Sequence, residues 1–426
     1  MFEIDKKRLI IRNKIIKDKK KFTTINITGD CAPIIDEASE LMVNKNYFES
    51  LLPFFKNGDL NITNLETVID LKKRKINKNA HKFINKPKIL NSLKNININL
   101  ACLANNHIMD NGDVGLKNTI KYLKKYRINY VGAELSLKKI YKPFFFKKNN
   151  HKIAIINTSE GEEANEKYNN HVGSSDIESY KVIDQIRNCK ENGYLTILIA
   201  HAGVEYIPFP PPYIKDIYKN FVDEGADLVV GHHPHVLQGF EIYKNVPIFY
   251  SLGNFTMWKK NLRKNCYSSI FLNIKIRDNK ISTINFVPYQ IDKNNLKLLS
   301  KNKFTKQITE LNNFLDQSDR LWITYLKRTN PNKNFFSENL SFFYNFDSYR
   351  NNLINKYTNL SKKYSDLDYM KNEFKKDYNF EHILDRWQIK KNKDSLSLFK
   401  NIFYPIYKIL FIVKKTLINL RSEFFT

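Results

Sequence analysis

The sequence predicts an α/β fold, and three observations lead there. Between about residues 22 and 290, short runs dense in Ile, Val, Leu and Thr alternate with stretches of helical period. Most of these runs end in Gly, His or Asn, so polar residues collect just after the predicted strands, where open α/β sheets place their sites. Three of the nine histidines fall within four positions at the end of one run, "DLVVGHHPHVLQG" (227–239). A core strand has no use for three imidazoles at its end, whereas a metal site does.

Taken in chain order, "FTTINITG" (22–29), "ININLACLA" (96–104), "HKIAIINTS" (151–159), "YLTILIAH" (194–201), "ADLVVGH" (226–232) and "VPIFYSLGN" (246–254) read as strands. Between several of them lie amphipathic helices. "DVGLKNTIKYLKKYR" (113–127) is one, and "IKDIYKNFVDEG" (214–225) is another, closed by a Gly where a helix C-cap belongs. "YSSIFLNIKIRD" (267–278) and "KISTINFVPYQI" (280–291) form an antiparallel pair around Asp278 and Asn279. After about residue 295 Gly vanishes, Lys, Asn, Phe and Tyr dominate, and helical spacing appears in residues 306–328. Three regions follow: a basic N-terminal extension (1–21), an α/β domain (22–292) and a helical, aromatic-rich C-terminal region (293–426).

The formal charge of +27, from 70 Lys and Arg against 43 Asp and Glu, is spread along the whole chain and travels with abundant Asn and Ile. That is the mark of a biased genome composition rather than of a phosphate-binding patch. Zinc-finger spacing, an aromatic RNA-binding signature and a KH-type loop are all absent from the sequence, so a nucleic-acid partner is set aside. The four cysteines, Cys31, Cys102, Cys189 and Cys266, make no CxxC pair and read as reduced thiols. The first 22 residues hold no uninterrupted apolar stretch, and no run of about 18 uncharged apolar residues occurs anywhere. The expected location is the cytoplasm or the inner face of the membrane. Contact with that face would run through "LFKNIFYPIYKILFIVKKTLINL" (398–420), a basic amphipathic stretch. A helix packed on the protein's own core is the plainer reading of the same stretch.

Five strand ends offer candidate ligands. "TGDCAP" carries Asp30, and "NITNLET" carries Asn64 and Glu66. "LANNHIMDNG" carries Asn105, Asn106, His107 and Asp110. "IAHAGVEY" supplies His201 and Glu205, and "VVGHHPH" supplies His232, His233 and His235. Any one of them alone reads as a cap, a turn residue or a core histidine. Together, carboxylate, amide oxygen and imidazole suit Mn²⁺, Fe or Zn²⁺, with one or two ions. Two ions about 3.5–4 Å apart would clamp an oxyanion and activate water near neutral pH. In an extended H-P-H segment His233 and His235 point to one side, stiffened by Pro234, and His232 orients a neighbour.

The run from Phe83 to Ala133, followed by "HAGVEY", "GADLVVGHHPHVLQGFEIY" and "IFYSLGNF", with "ITGD" and "TNLET" as opening motifs, closely resembles the CapA-like proteins of poly-γ-glutamate capsule biosynthesis. The resemblance covers about residues 22–290. It implies a four-layer α-β-β-α sandwich, similar to the calcineurin-like metallophosphoesterases, with the helical C-terminal region appended. It also implies a role for each residue. Asp30, Glu66, Asn106, His201, His233 and His235 resemble the metal ligands, and His107 with Asp110 the catalytic pair. Beside these, Asn64, Asn105, Glu205, His232 and Asn254 are expected to support the ligands or touch substrate. Two departures stand out: Asp30-Cys31-Ala32 replaces the phosphoesterases' D-x-H, and "NNH" replaces "GNH". The implied function is a metal-dependent hydrolase in the synthesis or processing of poly-γ-glutamate or a related anionic surface polymer. Its partner would be that polymer or a small acidic substrate. The alternative is a non-catalytic, membrane-peripheral capsule-assembly factor on the same fold.

Overall fold

Strand pairing follows the apolar runs. The computed structural model describes residues 2–318 apart from 6–8, 15–20, 34–41, 43–45, 75–81, 162–163, 167–168, 170–171, 259–261 and 263. With strands numbered in chain order, the larger sheet runs β1 (Phe2–Asp5), β2 (Ile10–Asn13), β18 (Lys280–Ile291), β17 (Ser268–Arg277), β3 (Thr23–Cys31), β4 (Leu60–Leu65), β7 (Leu100–Cys102) and β8 (Asn129–Val131). A short β19 (Leu296–Leu298) also pairs with β18. The second sheet runs β10 (Phe144–Lys148), β11 (His151–Ser159), β13 (Leu195–His201), β14 (Leu228–His232), β16 (Val246–Phe249) and β15 (Phe240–Tyr243). Two small pairs, β5 (Val68–Ile69) with β6 (Ile84–Asn85) and β9 (Ala133–Glu134) with β12 (Gly173–Ser174), complete the strands described.

The parallel sets β3-β4-β7-β8 and β11-β13-β14-β16 lie at the centre of the site-bearing region. Helices Gly112–Lys125, Tyr180–Glu191 and Pro212–Glu224 make crossovers between such strands, as parallel pairing requires. The other half of the larger sheet, from β1 to the β17–β3 pair, is antiparallel, and β17 turns into β18 through Asp278 and Asn279. Both residues are left-handed, with φ of 47° and 56°, and Arg277 pairs with Lys280. That is a two-residue hairpin of the type I′ class, which Asp and Asn tolerate.

The central parallel strands β3, β4, β7, β11, β13 and β14 bury both faces. Ile25, Ile27, Ile62 and Leu100 from one sheet pack with Ile155, Ile197, Ile199 and Val230 from the other. Ala101 and Leu103 join the helix residues Leu90, Leu93, Leu116 and Ile120 in a second cluster. Ile156, Leu198 and Val229 join Val182, Ile186, Ile214 and Phe221 in a third. Strands buried on both sides explain why their sequences read as unbroken apolar runs rather than as alternations.

Several elements differ from the sequence expectation. The run 96–104 is a strand only at Leu100–Cys102, because Asn97 turns left-handed at φ 65° and the Ile98 amide still caps the preceding helix at Leu93 O. The run 246–254 leaves the sheet after Phe249, since Gly253, at φ 72°, turns the chain toward β3. The first 21 residues are not merely an extension, because β1 and β2 build the edge of the larger sheet. One compact unit runs Met1–Asp319, so the expected boundary at 292 falls inside it. The reason is apolar: helix Lys301–Asp316 buries Phe304, Ile308 and Leu311 in the cluster shared by the two sheets. Residues 319–426, with the stretch 398–420 and His382, lie outside the described residues. No helix among the described residues is long and apolar enough to cross a membrane.

Phe304→Ala removes a fully buried ring from that shared cluster. The expected loss is about 3–5 kcal/mol of stability, read from urea unfolding of the full chain. A loss under about 0.5 kcal/mol, the level of a surface substitution, would place the helix outside the core.

Candidate metal centre

The candidate ligands meet at the C-terminal ends of the parallel strands of both sheets. Asp30 reaches this point through an irregularity in β3, where the register against β4 shifts between Ile27 and Asp30. Gly29 permits it: a Cβ there would lie 2.1 Å from Gly253 O. The Asp30 amide donates to Gly253 O at 3.0 Å, and the Phe255 amide donates back to Asp30 O at 2.7 Å. Thus the chain after β16 is sewn to β3, and Asn254 is delivered beside the cluster. Glu66 follows β4, Asn105 to His107 follow β7, His201 ends β13 and His232 ends β14. The parallel register sets His201 directly beside His232.

All six predicted metal ligands are buried here: Asp30, Glu66, Asn106, His201, His233 and His235. Two groups of donor atoms within 4.8 Å of one another emerge, Glu66 with His201 and His233, and Asp30 with Glu66 and His235. Glu66 is common to both. Its Oε1 lies 3.5 Å from His201 Nε2, 3.6 Å from His235 Nε2 and 4.0 Å from His107 Nε2. Asn106 Oδ1 lies 3.1 Å from His201 Nε2, and His233 Nδ1 lies 3.0 Å from the same nitrogen.

The supporting residues hold these groups in place. Asn64 Nδ2 donates to Asp30 Oδ1 at 2.7 Å and stands 3.0 Å from His201 Nδ1. Asn105 Nδ2 donates to Leu65 O, and its Oδ1 accepts from the His107 amide. Asn254 Oδ1 faces His235 Nδ1 at 2.9 Å while its Nδ2 donates to His235 O and Cys266 O. His232 Nδ1 lies 3.0 Å from Asp30 Oδ1. Glu205 Oε1 approaches His235 Nε2 at 3.8 Å from the rim. His151 stands apart, with Nδ1 2.8 Å from Thr23 Oγ1, and His81 and His171 lie outside the described residues.

The turn that presents His233 and His235 is not extended, contrary to the reading of H-P-H as a strand-like pair. Both residues are left-handed, at φ 96° and 56°. Such conformations cost on the order of 1–3 kcal/mol each in a non-glycine residue. They aim both rings inward and turn the His233 amide onto Asp30 Oδ2 at 3.1 Å.

Electrostatics suit a cation. Burial pushes His201 well below the ordinary imidazole range, lowers His235, and with His235 beside it takes His233 down to about 3. Burial opposes ionisation of Asp30. The adjacent His232 outweighs it, helped by His201 and His235, and holds this carboxyl well below the usual range. Asp30 is thus a buried carboxylate beside His201, His233 and His235, whose burial favours the neutral imidazole that binds metal. A divalent cation balances that charge. At the D-x-H position the chain offers nothing comparable. Ala32 has no donor, and burial pushes the Cys31 thiol up to about 12 while its Sγ accepts from Thr256 Oγ1 at 3.3 Å.

His107 is fixed from two sides. Its Nδ1 lies 2.7 Å from Asp110 Oδ2, and Phe83 stacks on the ring with centroids 3.9 Å apart at 19°. The Phe83 amide also donates to Asp110 Oδ2 at 2.6 Å. Sequence reasoning missed Phe83, although it opens the very run that carries the resemblance. It also missed Tyr206, whose ring centroid lies 5.8 Å from that of His235. A lone aromatic in a loop carries no sequence signal of its own.

Residues 24–258 match the family described as bacterial capsule synthesis protein PGA_cap. This chain belongs to that family. Similar proteins include the capsule biosynthesis protein CapA of Bacillus anthracis, 32% identical over 275 residues, or 62% of this chain and 66% of the relative. The PGA biosynthesis protein CapA of Bacillus subtilis (strain 168) is 31% identical over 227 residues, or 52% of this chain and 59% of the relative. The chain thus spans less than two thirds of the length of either relative. Among solved structures, the Haemophilus influenzae NAD nucleotidase is similar at a TM-score of 0.34 and 13% identity, over 69% of this chain and 62% of that one. A likeness at that score says nothing of the reaction. Asp30, Glu66, Asn106, His201, His233 and His235 all fall within the matched residues.

Gly29→Ala would drive a Cβ into a backbone carbonyl that cannot move without parting Asp30 from the 253–255 turn. The expected cost is about 1–3 kcal/mol or more, seen as a lowered thermal midpoint. An unchanged midpoint would show that β3 and this turn are not tightly sewn.

Proposed function

We propose that this capsule-family chain is a metal-dependent hydrolase acting in the synthesis or processing of poly-γ-glutamate or a related anionic surface polymer. We read its three apolar clusters as the three interfaces of an α-β-β-α sandwich of metallophosphoesterase type. The observation that carries the functional reading is the sharing of buried Glu66 by two His and carboxylate groups. A carboxylate common to two donor sets would help to hold either of two closely spaced ions, the arrangement that clamps an oxyanion and activates water.

Asp30, Glu66, Asn106, His201, His233 and His235 would hold one or two divalent ions of the Mn, Fe or Zn class. When bound, such ions supply Lewis acidity toward a substrate oxygen and activate water. The chain's own groups do the rest. Asp110 holds His107 Nδ1, so Nε2 is the atom that carries or releases a proton, and it points toward the cluster at Glu66. Phe83 prevents the ring from turning away. Asn254 fixes His235 through Nδ1 and leaves Nε2 facing the cluster. The burial of Asp30 and Glu66 keeps bulk water from screening the site.

Elemental analysis of purified protein tests the ligand set. Bound Mn, Fe or Zn is expected in the wild type and is expected to be lost in His233→Ala/His235→Ala. An equal metal content in both would remove these residues from the ligand set. His107→Ala is expected to keep its metal while hydrolysis of an activated phosphodiester probe, bis(p-nitrophenyl) phosphate, falls about 10²–10⁴-fold. Undiminished hydrolysis would deny His107 a part in proton transfer.

A further inference from the structure

We propose that a cavity on the outward face of the larger sheet is a second binding site, one that holds carboxylates of an anionic polyamide chain away from the metal centre. The site stands independently of the metal reading, and only the choice of a surface polymer as its occupant rests on the proposed function. The cavity measures about 350 Å³, at the small end of the range for ligand sites. Arg12 from β2, Lys275 and Arg277 from β17, and Thr283 and Asn285 from β18 line it. No carboxylate among the described residues does.

Sheet register builds this cavity. Arg12 pairs with Thr283, Thr283 with Lys275 and Lys275 with Thr24, so one row of side chains crosses four strands. Ile276 pairs with Ile281 while Lys275 pairs with Thr283, which leaves Ser282 as the extra residue of a bulge. Ile276, Ile281 and Ile284 belong to the cluster shared by the two sheets. The bulge is what lets Thr283 face outward beside the cations although Ile281, two residues before it, faces in. The candidate metal ligands lie toward the other end of the sheet. From Thr24 to Asp30 along β3 is on the order of 20 Å.

Each lining group suits one part of such a chain. Lys275 Nζ and the Arg277 guanidinium lie 4.4 and 5.7 Å from the centre of the Phe22 ring, which gathers two cations side by side. An anion relieves the repulsion between them. The neighbouring acids are turned elsewhere. Glu3, opposite Arg12 on β1, pairs with Lys14 at 3.5 Å, and Asp59, which accepts the Thr24 amide, pairs with Lys148 at 3.7 Å. The Thr283 hydroxyl is buried with no hydrogen-bond partner among the described residues, and an oxyanion is the acceptor it lacks. Asn285 Nδ2 donates to Asn273 Oδ1 at 3.2 Å, and Asn273 Nδ2 donates onward to Asn26 Oδ1 at 2.8 Å. That leaves the Asn285 side-chain oxygen to accept an amide N–H. A carboxylate and an amide N–H in every repeat is the chemistry of a polyglutamate. Nucleic acid fits less well, since no aromatic residue among the described ones lines the cavity to stack a base.

Fluorescein-labelled poly-γ-glutamate titrated with the full-length protein and followed by anisotropy tests the site, with thermal unfolding to check that each variant is folded. Binding is expected to weaken about 10-fold in Arg12→Gln/Lys275→Gln. Thr283→Val, which changes no charge, is expected to weaken it about 3–10-fold. Lys121→Gln/Lys125→Gln, an equal loss of charge at exposed helix positions, is expected to bind as the wild type does. A wild type that does not take the polymer, or cavity variants that bind no worse than this control, would overturn the inference. Random single-stranded DNA held more tightly than the polymer, and lost in the same cavity variants, would overturn it in favour of a nucleic-acid site. The same series in a His233→Ala/His235→Ala background separates this site from the metal centre. Cavity effects that persist there support the inference even if the metal reading fails. Cavity effects that vanish there would place the polymer at the metal centre and overturn the inference.

Discussion

The site depends on Asp30 being held by both sheets at once. Its carboxylate accepts from Asn64, on the neighbouring strand of its own sheet, and from the His233 amide, which follows β14 of the other sheet. Its backbone is paired with the 253–255 turn. One residue thus fixes the distance between the two parallel sets whose ends carry the candidate ligands. Without a glycine before it the close approach to Gly253 is impossible, so the constraint reaches from a missing Cβ to the placement of three imidazoles.

Strain is concentrated at the same place. His233, His235 and Tyr206 are all left-handed, a conformation uncommon in any residue but glycine. Their amides and carbonyls are nonetheless engaged: His233 N with Asp30, and Tyr206 N with Pro234 O. The surrounding apolar clusters, each built on strands buried on both faces, supply the rigidity that holds such a turn. A loosely packed scaffold would relax it, and the donor atoms would part.

Burial sets the chemistry of the cluster as much as geometry does. Taking His201, His233 and His235 out of water favours their neutral form, which offers a lone pair, while the adjacent His232 favours ionised Asp30. The same burial silences Cys31, which lies beside Asp30 yet stays a thiol. Adjacent residues therefore take opposite parts, decided by what each side chain touches.

The sequence by itself determined the strand-forming runs, the hairpin at Asp278-Asn279 and the kinds of polar group the strand ends present, because those follow from local period, turn chemistry and residue chemistry. The runs 151–159 and 194–201 survive nearly unchanged as β11 and β13. The histidine-rich turn was legible as a site because three imidazoles after an apolar run have no packing use. Tertiary structure alone decided the rest. That Phe83 would stack on His107, that the first strands would edge the larger sheet, and that helix Lys301–Asp316 would join the shared core all depend on contacts between residues far apart in the chain. So does the left-handed turn at His233 and His235, which local propensity opposes and which only the pull of Asp30 from another strand makes worthwhile.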